Sequence, residues 1–277
     1  MSFGLSGVSV RFGDVLALDG VSLEVPAGEI TSLVGGDGAG KSTALRCLVG
    51  LVVPTAGTVS RPARQRIGYM SAASGVWPDL TVDENLAFVG GAFGFSSREL
   101  AERGKELLGR AGLAQVGDRL VRNLSGGMRQ KLGFVLSVLH RPELLVLDEP
   151  STGVDPVSRV ELWRLIAEAA TDGAAVVMAT TYLDEAERTN TLHVLDRGRV
   201  LLFGAADDIA GQMPGSIDSV DSATVPDRAW RRGTAIRQWR PDGDPVPPTG
   251  EQILRPDVED TTIGCMLAER WEGHSGG

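Results

Sequence analysis

Residues 35–42 read GGDGAGKS, which fits G-x-x-x-x-G-K-[ST], and they stand between the apolar run EITSLVG and the helix-patterned KSTALRCLVGL. No other stretch limits the possible folds as strongly. A glycine loop between a buried strand and a helix aims backbone N–H groups and the helix N-terminus at an anion, and the missing side chains let a polyphosphate come close. In that setting Lys41 reaches the terminal phosphates and Ser42 ligates Mg2+. The chain has only three lysines, Lys41, Lys105 and Lys131; arginine carries the rest of its positive charge. A compact ammonium does a different job from a planar guanidinium, so the lysine kept in this loop points to function.

Around that loop the pattern is α/β. The opening LSGVSVRFGDVLALDGVSLEVPAGE alternates apolar and polar residues, with Gly-Asp and Asp-Gly breaks, as short antiparallel strands do. From about 75 to 140 strand signals fade, and TVDENLAFVGGAF, SRELAERGKELLGRAGL and SGGMRQKLGFVLSVLH read as a helical insert. Strands return with ELLVLDEP, AAVVMATT and TLHVLDRGRVLLFG, the first two separated by the helical SRVELWRLIAEAATD. The expectation is a P-loop NTPase core with an antiparallel β subdomain and a helical subdomain, over residues 1–210. Residues 211–277 form a small appended region, where GQMPGSIDSV and PDGDPVPPTG are rich in turn formers and RAWRRGTAIRQWR suggests a hairpin.

Two more segments carry chemistry. ELLVLDEP, residues 143–150, puts Asp148 and Glu149 at the end of a strand apolar on both faces, the edge where open α/β sheets bind ligands. Asp148 is placed to hold Mg2+ and Glu149 to take a proton from an attacking water. LSGGMRQK, residues 124–131, offers a hydroxyl and N–H donors at a second helix start.

In this order and at these separations, the three segments resemble the ATP-binding subunit of an ABC transporter over roughly residues 5–205. GGDGAGKST looks like the Walker A loop, in which Gly35, Gly36, Asp37, Gly38, Ala39, Gly40, Lys41, Ser42 and Thr43 would surround ATP. LLVLDEP looks like the Walker B strand, LSGGM like the signature motif, and STGVDP, residues 151–156, like the D-loop. Phe12 stands where the family sets an aromatic ring against adenine, although a strand core residue fits there too. WPDLTVDENL and YLDEAER look most like the drug- and lipid-exporting, ABC-2 type branch. The resemblance implies two subunits sandwiching two nucleotides head to tail, with Ser125, Gly126, Gly127 and Asp155 completing the partner's pocket. It also implies separate transmembrane permease subunits, which would hold this cytoplasmic chain on the inner face of the membrane.

Two positions depart from the family. Where a run like THYLDEAE has its histidine, this chain has Thr181, following Thr180; a hydroxyl on a short stem reaches less far than an imidazole. In IGYMSAASGVWPDL, residues 67–80, Ala72 falls on the glutamine of the family's IGYLPQ segment, and Gln65 is seven residues too early to replace it. Losing one preorganised donor near a transition state costs about 10²- to 10³-fold in rate. Slow hydrolysis in this chain's own pocket follows, with a family-typical, non-identical ATPase subunit carrying the competent site.

Composition narrows the rivals. A formal net charge of −9 argues against a nucleic-acid coat. Cys47 and Cys265 stand far apart with no ligand-like neighbours and read as apolar fillers. No apolar run approaches the ~18–20 residues of a membrane span. A soluble, non-transport ABC ATPase and a nucleotide-sensing regulatory subunit are the alternatives. Of the remaining features, His140 reads as a surface-loop residue, His193 as a strand residue, and the acidic LDEAE as a solvated helix face. Trp77 fits either core packing or a groove for a membrane subunit.

Overall fold

The computed structural model describes residues 1–244 and 252–275; the end of the PDGDPVPPTG stretch, residues 245–250, lies outside that range. The chain opens with two strands, β1 (Ser2–Phe12) and β2 (Val15–Pro26), then runs through β3 (Ile30–Val34), α1 (Lys41–Val49), β4 (Ala56–Ser60) and β5 (Ile67–Met70). Three helices follow, α2 (Val82–Ala92), α3 (Ser97–Arg110) and α4 (Gly126–Val138). Next come β6 (Leu144–Asp148), α5 (Pro156–Thr171), β7 (Ala175–Thr180), the one-turn α6 (Leu183–Ala186), β8 (Thr191–Asp196), β9 (Arg199–Gly204) and α7 (Ala206–Ile209). The last segment holds β10 (Ser216–Val220), β11 (Ala229–Arg232), β12 (Ala235–Arg240), β13 (Gln252–Ile253) and α8 (Val258–Ser275).

A six-stranded sheet in the order β5-β6-β7-β3-β8-β9 runs through the middle, parallel except for β9. Its strands β6 and β7 are apolar on both faces along most of their length because both faces are covered. Leu145, Leu147, Val176 and Met178 face α4 and α5, whereas Leu144, Val146, Val177 and Ala179 face α1 and the antiparallel sheet β2-β1-β4. All eight are fully buried. Cutting one back, as in Leu145→Ala, removes about 2–5 kcal/mol.

Of the two breaks in the opening stretch, only one ends a strand. Gly13-Asp14 turns between β1 and β2, whereas Asp19-Gly20 lies inside β2. There the register slips between the pairs Val8–Val21 and Val10–Leu18, so the second break is a β-bulge within a long strand. In the helical stretch, Thr81 and Ser96 start α2 and α3 through capping boxes with Glu84 and Glu99, each satisfying otherwise unpaired N–H groups.

The C-terminal segment is ordered into an antiparallel sheet, β11-β12-β10-β13, backed by α8. RAWRRGTAIRQWR is the β11–β12 hairpin, turning at Gly233 with φ +60°. Val258 and Cys265 of α8 share an apolar cluster with Leu192, Val194, Leu202, Ala186 and Ile209. Both cysteines are buried free thiols, and burial pushes each up to about 11.

Two expectations about bland residues change, for His140 and the LDEAE run, and the alternatives at Trp77 narrow. His140 is half-buried and not on an open loop: its ring stacks on Phe93 at 3.8 Å and Nε2 lies 3.1 Å from the Ile67 carbonyl. Trp77 is outside the core, 40% exposed and tilted against Phe88. Within LDEAE, Glu185 is completely buried, because α6 turns back beneath the end of β7 and carries that carboxylate inward.

Candidate nucleotide site and its partner-facing edge

The phosphate loop leaves the C-terminal end of β3, and β7 and β6 end beside it. Such strand ends are where doubly covered sheets leave a crevice for ligands. Gly35 has no alternative here: a Cβ would sit 2.2 Å from the Leu195 carbonyl oxygen. Asp37 and Gly38 are exposed, Ala39 is buried against the body, and Ser42 and Thr43 at the head of α1 are half-buried.

Lys41 is 5% exposed and bends back over the loop. Its Nζ donates to the carbonyls of Gly35 at 2.8 Å and Gly36 at 3.1 Å, and lies 3.8 Å from Glu149. Ser42 Oγ donates to Asp148 Oδ1 at 3.0 Å, joining the head of α1 to the end of β6. Burial, reinforced by the charge of Glu149 and opposed by the Ser42 hydroxyl, raises the Asp148 carboxyl above its ordinary value. A half-buried hydroxyl beside a buried carboxylate suits a hard cation, and Mg2+ commonly takes one or two protein oxygens and fills its other positions with phosphate and water. Among the described residues no group of three or more His, Cys, Asp or Glu could hold a metal ion.

Glu149 is one of four non-glycine residues with positive φ among those described, at +51°. A side chain held there costs about 1–3 kcal/mol and persists only where its surroundings fix it. They do so here: its N–H donates to the Ala179 carbonyl at 3.0 Å, and Thr152 Oγ1 donates to its Oε2 at 3.2 Å.

A second constellation sits where α4 meets α5. Ser125 caps α4, accepting the Met128 N–H at 3.2 Å, and Asp155 caps α5, accepting from Val157 and Ser158 at 3.1 and 3.0 Å. Gly127 lets the two helix heads touch, since a Cβ there would lie 2.4 Å from Ser158 Oγ and 3.2 Å from Asp155 Oδ2. Gly126 faces the Gly153 carbonyl. Ser125 and Asp155 are exposed while Gly126 is half-buried and Gly127 buried, and among the described residues no hydrogen bond or ion pair joins this edge directly to the phosphate loop.

Phe12 ends β1 at 52% exposure, with Val15 and Leu16 open beside it, which excludes the strand-core alternative. Ala72 and Thr181 are exposed. Close to Ala72, Ser74 is buried at φ +66° and donates to Gln130 of α4 at 3.0 Å, so that loop is moored to α4. Thr180 is buried; its hydroxyl accepts the Tyr182 N–H at 3.0 Å and donates to Glu185 at 2.8 Å. Sequence reasoning misses Thr180 and Glu185 as a pair, because their five-residue separation across a strand end leaves no periodic signal.

Comparison with known proteins agrees with this geometry. The family profile described as "ABC transporter" matches residues 18–152. The Daunorubicin resistance ATP-binding protein DrrA3 of Streptomyces coeruleorubidus is 33% identical over 283 residues, covering 98% of this chain and 85% of that protein. The chain belongs to the ABC transporter ATP-binding family. A second relative, the Probable multidrug ABC transporter ATP-binding protein YbhF of Escherichia coli, is 36% identical over 212 residues, which span 73% of this chain but only 37% of YbhF. Among solved structures, an ATP-binding subunit of an ABC transporter superposes with a TM-score of 0.70 at 30% identity, covering 76% of this chain and 93% of that one. ABC ATP-binding domains bind and hydrolyse ATP, dimerise, and work with transmembrane permease subunits. In this chain no helix among the described residues is long and apolar enough to cross a membrane.

Proposed function

We propose that this chain binds Mg-ATP in its own pocket, turns it over slowly, and completes the competent pocket of a second, non-identical ATPase subunit, together energising an export permease. The observation that carries this reading is the division of the family positions. Lys41, Ser42, Asp148 and Glu149 interlock on one side, and Ser125, Gly127 and Asp155 are held together on the other. A site split in this way is finished only by a second subunit. The export assignment rests on the relatives named for drug resistance and multidrug transport.

In the own pocket, loop amides and Lys41 hold the phosphates, and Lys41 leaves the Gly35 and Gly36 carbonyls to do so. Ser42 and Asp148 are the oxygen ligands for Mg2+, which when bound offsets negative charge on the phosphates during transfer to water. Glu149, fixed by its backbone hydrogen bond and Thr152, is positioned to accept the proton of an attacking water. What the pocket lacks is the imidazole and the carboxamide of the family pattern, at Thr181 and Ala72.

Calorimetry and turnover on the purified chain test this. The expected result is saturable Mg-ATP uptake with weak hydrolysis that does not rise with protein concentration. Thr181→His with Ala72→Gln should raise turnover about 10²-fold or more when the natural partner is present. Brisk hydrolysis by the pure chain, or no gain from the double substitution, overturns the slow-site assignment.

A further inference from the structure

Glu185 is the most deeply buried acid of the α6 turn, and its surroundings are incomplete. Oε2 accepts the Thr180 hydroxyl at 2.8 Å, while Oε1, also buried, has no hydrogen-bond partner. Facing it at 3.6 Å is Arg159 Nε, buried and equally without a hydrogen-bond partner. Closure to an ordinary charge-assisted distance of about 2.7–2.9 Å would offset more of the cost of taking the two groups out of water. The pair stands open by less than an ångström. The Arg159 guanidinium meanwhile rests 4.7 Å over the Tyr182 ring.

Both ends of this pair lead somewhere. Thr180 pairs in register with Val34, the residue before the phosphate loop, and Ala179 beside it holds the Glu149 N–H. Arg159 lies one helical turn after Asp155, donating its N–H to the Asp155 carbonyl at 2.9 Å. We infer that Arg159 and Glu185 are positioning residues that couple the Thr180–Tyr182 segment beside the phosphate loop to Asp155 at the head of α5. Nucleotide in this chain's pocket is thereby felt at the edge offered to the partner. Closing the 3.6 Å gap to a hydrogen bond draws the head of α5, and Asp155 with it, toward the end of β7. Thr180 supplies the hydroxyl that both accepts from Tyr182 and donates to Glu185, so the coupling needs a donor and acceptor at that one atom. The inference rests on the reading that Mg-ATP binds in the loop at Lys41.

Hydrogen–deuterium exchange of the purified chain, with and without saturating Mg-ATP, tests it. In the wild type, Mg-ATP should slow exchange in residues 35–43 and also, by about 5-fold or more, in residues 151–160. Glu185→Gln and Arg159→Gln should keep the slowing at 35–43 and lose it at 151–160; Thr180→Ser should keep both, and Thr180→Val only the first. A merely structural pair would change baseline exchange without uncoupling the two segments. Should Glu185→Gln fail to fold, Arg159→Gln, at a side chain 27% exposed, carries the test. Slowing at 151–160 that persists in the variants, or that never occurs in a nucleotide-bound wild type, overturns the coupling alone. Absence of slowing at 35–43 in the wild type removes the nucleotide reading and the coupling together.

Discussion

The own-pocket side and the partner-facing edge keep their functional groups in place by different means. On the pocket side, side chains hold one another: Lys41 on loop carbonyls and near Glu149, Ser42 on Asp148. On the partner-facing edge, the groups proposed to meet another subunit also start helices or permit their contact. Ser125 and Asp155 are caps, and Gly127 is a spacer. The departures from the family pattern fall at Ala72 and Thr181, which are exposed and do neither kind of work. A residue with a folding duty is costly to replace whether or not chemistry uses it. A residue serving only chemistry is free to change once chemistry moves elsewhere.

That contrast can be broken, beginning with the largest effect. Lys41→Ala should weaken Mg-ATP binding by roughly 30- to 150-fold, the worth of a charge-assisted contact of about 2–3 kcal/mol, as read by calorimetry. Unchanged affinity would mean the pocket side is not a pocket. Gly127→Ala should do the reverse, lowering stability by about 1–3 kcal/mol in urea unfolding, since Ser158 and Asp155 must move. A neutral result would remove the spacer argument. His193 provides a reference outside both regions: burial lowers it to about 4, against 6.5 in the unfolded chain. As pH falls, the unfolded state therefore binds the proton first. Stability from this group is constant well above pH 6.5 and falls as pH drops toward 4, by roughly 2 kcal/mol at pH 5, and His193→Phe should flatten that slope. Smallest is Asp155→Ala, which removes the α5 cap and should cost about 0.5–2 kcal/mol. If ATP-dependent pairing survives that loss intact, Asp155 is a cap and nothing more.

Much of this molecule is legible in its residues alone. The strand–loop–helix around Lys41 is readable because glycine spacing, flanking apolar runs and the lysine all point to one local geometry. Asp148 and Glu149 follow from their place at the end of an all-apolar strand. Glu185 is not legible, because an acidic run is ordinarily solvated and only the reversal of chain direction after Thr180 turns one of its carboxylates inward. The bulge in β2 is hidden for a related reason: Asp19-Gly20 looks like a turn, and pairing with β1 on either side carries the strand through it. In the C-terminal segment only the hairpin announces itself, since β13 is two residues long and α8 mixes polar and apolar residues without a clear stripe.

The cluster that binds Val258 and Cys265 to Leu202 and Ile209 has a practical corollary. Truncation after residue 210 would strip the covering from an oily face on β8, β9 and α7, so a shortened protein should aggregate where the whole one stays dispersed. The tail is the lid on that seam, and heating should melt tail and body in a single step.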